Sequence, residues 1–125
     1  CINRHAALLP KYRGRLAPFW AYLHGEAESG LSIHFIDENI DNGKIIVQKK
    51  VPIQRFDTVD TLLDRIFFDV APGAMLEALQ LIRSGEYRNS LMENDALQAT
   101  YYSAPKLKHA MLYRWVMFRR MFIGK

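Results

Sequence analysis

Apolar and polar positions change period several times along the 125 residues. From Gly30 to Asp37 they alternate, with Leu31, Ile33 and Phe35 on one side and Ser32, His34 and Ile36 on the other. That period of two predicts a strand. Asp37 to Gly43 is rich in Asp, Asn and Gly, the usual turn formers, and Lys44 to Ile53 reads as a second strand with Pro52 near its end. The pair predicts a hairpin packed on a larger sheet. Upstream, Leu16 to Gly25 predicts a short helix. Pro18 sits in its first turn, Phe19, Trp20 and Leu23 supply its apolar face, and Gly25 stops it. Trp20 reads as a core aromatic.

Asp57 to Ser84 takes a helical period, with Asp57 or Thr58 as its cap and Leu62, Leu63, Ile66 and Phe67 as one stripe. Pro72-Gly73 is expected to break or kink it. Met75, Leu76, Leu79, Leu81 and Ile82 then resume the pattern as far as Gly85, and core packing accounts for all of them. Gly85 to Ser103 reads as a polar connector. From Leu107 a last helix is expected, with Leu107, Met111, Trp115, Phe118 and Phe122 on one stripe and Val116, Met117 and Met121 widening it.

Composition narrows the class. Half the residues are apolar, which predicts a globular core rather than disorder. A single cysteine, Cys1, excludes an internal disulfide framework and a cysteine-based metal cluster; it reads as a small buried hydrophobe. No uninterrupted apolar run is long enough to span a bilayer, and a cytoplasmic location is the expectation. The net charge of +4 is unevenly placed. Residues 106–125 hold Lys106, Lys108, Arg114, Arg119, Arg120 and Lys125 with no acid, a charge of +6, so the other 105 residues sum to −2. This divides the chain into a unit of residues 1–105 and a basic C-terminal helix, 106–125. The helix suits an anionic membrane surface, RNA or another anionic contact, or packing on its own domain.

The chemistry gathers near the start. Asn3 and His5 are two apart, so a strand through Cys1–His5 puts both side chains on one face. Pro10 ends that strand, and Gly14 permits backbone geometry that other residues resist. The string Asn3-x-His5-x-x-Leu8-Leu9-Pro10-x-x-x-Gly14 resembles the signature of the folate-dependent formyltransferases. That family includes methionyl-tRNA formyltransferase, phosphoribosylglycinamide formyltransferase, the sugar-nucleotide N-formyltransferases and formyltetrahydrofolate hydrolases. Where the family often has Ser, this chain has Ala7. The block Gly30–Gly43 is similar to the family's second motif, a strand ending in an Asp-bearing loop. Ala99-Thr100-Tyr101-Tyr102-Ser103-Ala104-Pro105-Lys106 looks like a stretched form of the segment that ends its catalytic domain.

The resemblance implies an α/β fold: the later half of a doubly wound, Rossmann-like sheet with a strand hairpin, flanking helices and the basic C-terminal helix. Since family members carry further strand–helix units before the first motif, the chain is expected to be a piece of a longer protein that lacks its N-terminal half. By position, Asn3, His5 and Asp41 match the catalytic Asn, His and Asp. The implied formyl donor is 10-formyltetrahydrofolate, with Glu38, Ile40 and Asp41 beside it and no metal. The acceptor is a primary amine, on tRNA, a nucleotide-linked sugar or a ribotide, with Lys11, Tyr12, Arg13, Gly14 and His34 as candidate contacts. The amine attacks the formyl carbon and forms a tetrahedral intermediate. Asn3 and His5 donate to its negative oxygen, and Asp41 favours protonated His5 and accepts the amine's proton. One alternative, a hydrolase releasing formate, shares these residues; the other, a non-catalytic remnant binding a partner or membrane through its tail, has the three intact catalytic positions against it.

Overall fold

A computed structural model describes residues 1–124. Three strands form one antiparallel sheet in the order β1–β3–β4: β1 is Ile2–His5, β3 Glu28–Phe35 and β4 Ile45–Pro52. The alternation in β3 decides which side meets the core. Leu31 and Ile33 are fully buried with Val47 and Val51 of β4. Ile33 lies opposite Val47 but His34 lies opposite Ile45, so a bulge in β4 absorbs Ile46 and lets it join the same core.

A continuous helical run from Val59 to Ser84 covers that face. It consists of α2 (Val59–Asp64), a π-helical turn (Arg65–Val70) and α3 (Ala71–Ser84). Thr58 caps it in a reciprocal pair with Thr61. Asp57 binds Arg65 through both carboxylate oxygens and accepts from the Gln54 N–H at 2.7 Å, fixing the turn that leads in. Pro72 does not break the run. The Ala71 N–H reaches back five residues to the Ile66 carbonyl, and this wide turn accommodates Pro72, which has no N–H to give the ladder. It also changes the helical phase. Leu62 and Ile66 face the sheet, but beyond the π turn Ala71, Ala74 and Ala78 take over that role. Leu76 and Leu79, expected in the core, are instead half exposed, because the small alanines let the helix lie close to the sheet with the leucines turned outward.

A second cluster lies on the other side of the first. The helix α1 (Ala17–Leu23) buries Trp20, Ala21 and Leu23 against Ala7 and Tyr12. Trp20 is core, as expected, and its indole N–H donates to the Ser103 carbonyl at 3.1 Å. Cys1, by contrast, is exposed rather than buried, since it precedes the first ladder pair, Ile2 with Phe35.

The polar connector is more ordered than its composition suggests. It contains a short helical turn α4 (Tyr87–Ser90), a 3-10 turn (Ala96–Gln98) and the strand β5 (Tyr101–Tyr102). This strand pairs in parallel with β2 (Arg13–Gly14) across the chain. The last helix, α5 (Leu107–Phe118), continues through a π turn to Ile123. It packs on α1 through His109, Tyr113 and Val116; the Tyr113 hydroxyl accepts from the Val59 N–H at 3.1 Å. The stripe Leu107, Met111, Trp115, Phe118 and Phe122 exists, but it faces solvent.

Candidate functional site

The register of β1 on β3 builds the site. Asn3 lies opposite His34 and His5 opposite Ser32, and partners in an antiparallel pair share a face. All four polar side chains therefore stand on the side away from Leu31 and Ile33. Ser32, fully buried, donates to the Ala7 carbonyl at 2.7 Å and accepts from the Leu9 N–H and the Gln48 amide. It thereby fastens the Leu8-Leu9-Pro10 turn to the sheet.

Over this face hangs the loop after β3, with Asp41 at its centre. Asp41 Oδ2 is 3.5 Å from His5 Nδ1, and Oδ1 is 3.6 Å from His34 Nε2. The Gly14 N–H donates to Oδ2 at 3.1 Å. His5 Nε2 donates to the Tyr12 carbonyl at 2.7 Å, so both of its nitrogens face acceptors, and the imidazolium satisfies both contacts together. His34 is buried and donates from Nδ1 to the Phe35 carbonyl at 2.9 Å, which turns Nε2 toward Asp41. Burial acts to raise the Asp41 carboxyl. The facing His34 ring, the charge of His5 and the Gly14 N–H outweigh it and hold the group below the usual carboxylate range.

Asp41 has a positive φ of 52°, a conformation that costs a non-glycine residue free energy. Two distant residues hold it there. The Asn94 amide donates to the Asp41 carbonyl at 2.6 Å and to the Gly43 carbonyl at 3.0 Å. Asn94 in turn accepts twice from Arg13, at its side-chain oxygen (2.7 Å) and its backbone carbonyl (2.9 Å). Both side chains are buried. The Tyr101 hydroxyl donates to the Ile40 carbonyl at 3.1 Å and holds the loop from the other side. Gly43 is a backbone requirement, because a Cβ there would run into the Phe35 carbonyl.

Asn3, His5, His34 and Asp41 are thus brought together. Asn3 lines an open cleft of about 310 Å³ with His34, Glu38, Ile40 and Asp41, and it makes no side-chain hydrogen bond among the described residues. The candidate acceptor contacts Lys11, Tyr12, Arg13 and Gly14 divide. Lys11 is exposed. The Tyr12 hydroxyl turns to Glu26 at 2.8 Å and to His24 at 3.2 Å. Arg13 is 2% exposed and committed to Asn94, so its guanidinium faces the interior rather than an acceptor. Gly14 (φ 101°) acts through its backbone, with the Tyr102 carbonyl filling the place of a side chain. Sequence reasoning missed Ser32, Gln48, Asn94 and Tyr101. Ser32 left a trace by its place on the polar side of β3, and Tyr101 by its place in the segment that resembles the end of the family's catalytic domain. The others come from elements remote in sequence.

The family model described as Formyl transferase matches residues 1–79. The trifunctional purine biosynthetic protein adenosine-3 of Chironomus tentans is 49% identical over 88 residues, which is 70% of this chain and 6% of that protein. Methionyl-tRNA formyltransferase of Pelotomaculum thermopropionicum is 40% identical over 85 residues, covering 68% of this chain and 27% of that one. Among solved structures, the formyltransferase PseJ from Anoxybacillus kamchatkensis, in complex with UDP-4,6-dideoxy-4-formamido-L-AltNAc and tetrahydrofolate, superposes with a TM-score of 0.70 at 29% identity. That match covers 91% of this chain and 56% of PseJ. The chain therefore spans about a quarter or less of these curated relatives, and its α/β arrangement is shared with a formyltransferase of Rossmann-like fold.

Proposed function

Because the chain belongs to the formyl transferase family, we propose that it carries the catalytic centre of an enzyme moving the formyl group of 10-formyltetrahydrofolate to a primary amine. The observation that carries this reading is the approach of His5 and His34 to the two oxygens of Asp41, on the face that also presents Asn3. The residues of the cleft suit the donor. Ile36 and Ile40 offer exposed apolar surface for a flat ring, and Glu38 and Asp41 offer acceptors for its N–H groups. The donor, when bound, supplies an electrophilic formyl carbon. Asn3, whose amide makes no hydrogen bond among the described residues, supplies an N–H to the oxygen on which negative charge gathers, and His5 adds one there by releasing the Tyr12 carbonyl; the worth of both is greatest where water is excluded. Asp41, kept ionised by its neighbours, faces His5 Nδ1 and takes up the proton the amine loses, directly or through water. His34 orients Asp41 from the buried side. Lys11 is the one cationic side chain of the motif loop left free for an anionic group on the acceptor, such as the phosphate of a nucleotide-linked sugar or of tRNA.

Incubation of the full-length protein with 10-formyltetrahydrofolate and a panel of amines is expected to yield tetrahydrofolate and a formamide with one acceptor class. Tetrahydrofolate with matching formate in the absence of any amine would make the enzyme a hydrolase instead.

Residues 107–123 form, in this reading, a basic helix appended to the catalytic half at 1–105, and Lys125, the last residue of the 106–125 unit, lies outside the described residues. No helix among the described residues is long and apolar enough to cross a membrane. The outward stripe of Leu107, Met111, Trp115 and Phe118, flanked by Lys108 and Arg114, suits an interfacial helix on an anionic surface. Sedimentation with vesicles should then show binding to phosphatidylserine-containing bilayers and not to pure phosphatidylcholine. Equal partitioning to both would remove the electrostatic part of the idea.

A further inference from the structure

A cleft of about 740 Å³ opens between the turn that follows α1 and the C-terminal helical segment. Leu23, Ile53 and Val116 form apolar wall, and Arg55, Arg119 and Arg120 border it. None of the three arginines pairs with a carboxylate among the described residues. Among the described residues the one acid at the rim, Glu26, is engaged by the Tyr12 hydroxyl at 2.8 Å. The nearest buried carboxylate, Asp57, is committed to Arg65.

Arg120 is the deepest of the three. One terminal nitrogen donates to the carbonyls of Tyr22 and Glu26, each at 3.0 Å, and the guanidinium lies 4.6 Å above the Tyr22 ring. Its Nε is buried without a partner. Burial pushes the guanidinium down from its ordinary value, and Tyr22 and Asp57 offset this only in part. A cation so placed lacks the counter-charge that buried charges ordinarily have. Arg55 is held at the rim by an Nε–H bond to the Met121 carbonyl at 3.1 Å, which keeps its remaining donors available.

We propose that this cleft binds an organic anion, a phosphate or carboxylate on an apolar body, with Arg55, Arg119 and Arg120 receiving the charge and Leu23, Ile53 and Val116 the body. The guanidinium fork matches either anion. The cleft has the volume of a small-molecule site and is far larger than a bare phosphate requires.

The test is a titration of the full-length protein followed by amide and arginine Nε–H resonances, with 1-naphthyl phosphate, 1-naphthoate, 1-naphthol and inorganic phosphate as probes. Both naphthalene anions should shift Gly25, Val116 and the Arg120 Nε–H. Naphthol and inorganic phosphate should each bind about tenfold or more weakly, as loss of a charge-assisted contact or of apolar burial requires. Arg120→Gln removes two backbone ties and risks the fold, so the exposed Arg55→Gln and Arg119→Gln carry the argument. Each should weaken 1-naphthyl phosphate by about tenfold, while the unfolding midpoint stays at the wild-type value. Three results would overturn the proposal: naphthol binding as tightly as naphthyl phosphate, affinities unchanged in both variants, or no shift from any probe up to about 10 mM, a range in which even binding of about 3 kcal/mol is seen.

Discussion

Replacing His5 with alanine is expected to lower formyl transfer by about a hundred- to a thousandfold, the range for losing one donor at a developing oxyanion. The effect should fall on kcat, because the donor acts most strongly where charge develops, and KM should change little. The fold should survive. His5 sits at the end of β1 and gives up one hydrogen bond, to the Tyr12 carbonyl, worth about 1 kcal/mol. Circular dichroism and urea unfolding check the second point, and initial rates with saturating donor check the first. A His5→Ala protein that transfers at the wild-type rate would end the role assigned to that residue.

Asp41→Asn is the companion variant. Asparagine tolerates the positive φ, so the loop should keep its shape while the charge is lost. The rate should fall, and the pH dependence set by the His5–Asp41 pair should change. Stability should change too, with a fixed sign. The Asp41 pKa is depressed in the folded state, so the ionised group stabilises the native protein above the unfolded value of about 4. That contribution disappears as pH falls through the folded value. Wild type should therefore lose, on acidification, a stabilising component that Asp41→Asn does not possess.

Asn94→Ala is expected to cost about 3 kcal/mol of stability and much of the activity, although Asn94 touches neither His5 nor the carboxylate of Asp41. Truncation strands the Arg13 guanidinium, 2% exposed, without its side-chain acceptor and frees two loop carbonyls, and an unpaired buried charge of this kind carries a penalty of that size. The backbone at Asp41 then loses a tie that holds its left-handed conformation. The Asp41 side chain should drift from His5, lowering kcat and broadening the pH profile. A merely structural role would lower the unfolding midpoint and leave the profile of the folded fraction unchanged. Arg13→Lys should give a milder form of the same defect, because one ammonium cannot serve two acceptors in the geometry of the fork.

The sequence determined the parts that depend on local periodicity and on residue identity in short strings. The alternation Leu31-Ser32-Ile33-His34-Phe35 is enough to define β3 and to separate its apolar side from its polar one. The two-residue spacing of Asn3 and His5 places them together, and the Asp- and Gly-rich loop holds Asp41. These are consequences of strand geometry, and the structure keeps them. Tertiary structure decided the rest. A π turn, invisible in a pattern of period 3.6, shifts the phase of the long helix, so alanines pack on the sheet and Leu76 and Leu79 turn outward. The outward face of α5 follows from the edge-on contact of His109 with Trp20 and the packing of Tyr113 on Phe19 and Tyr22, not from where apolar residues are densest. Arg13 reads as a free cation in a basic turn, but it is buried because Asn94, some eighty residues away in the chain, offers it two acceptors. Such contacts satisfy buried polar groups across elements that never adjoin in sequence, and one-dimensional spacing holds no record of them.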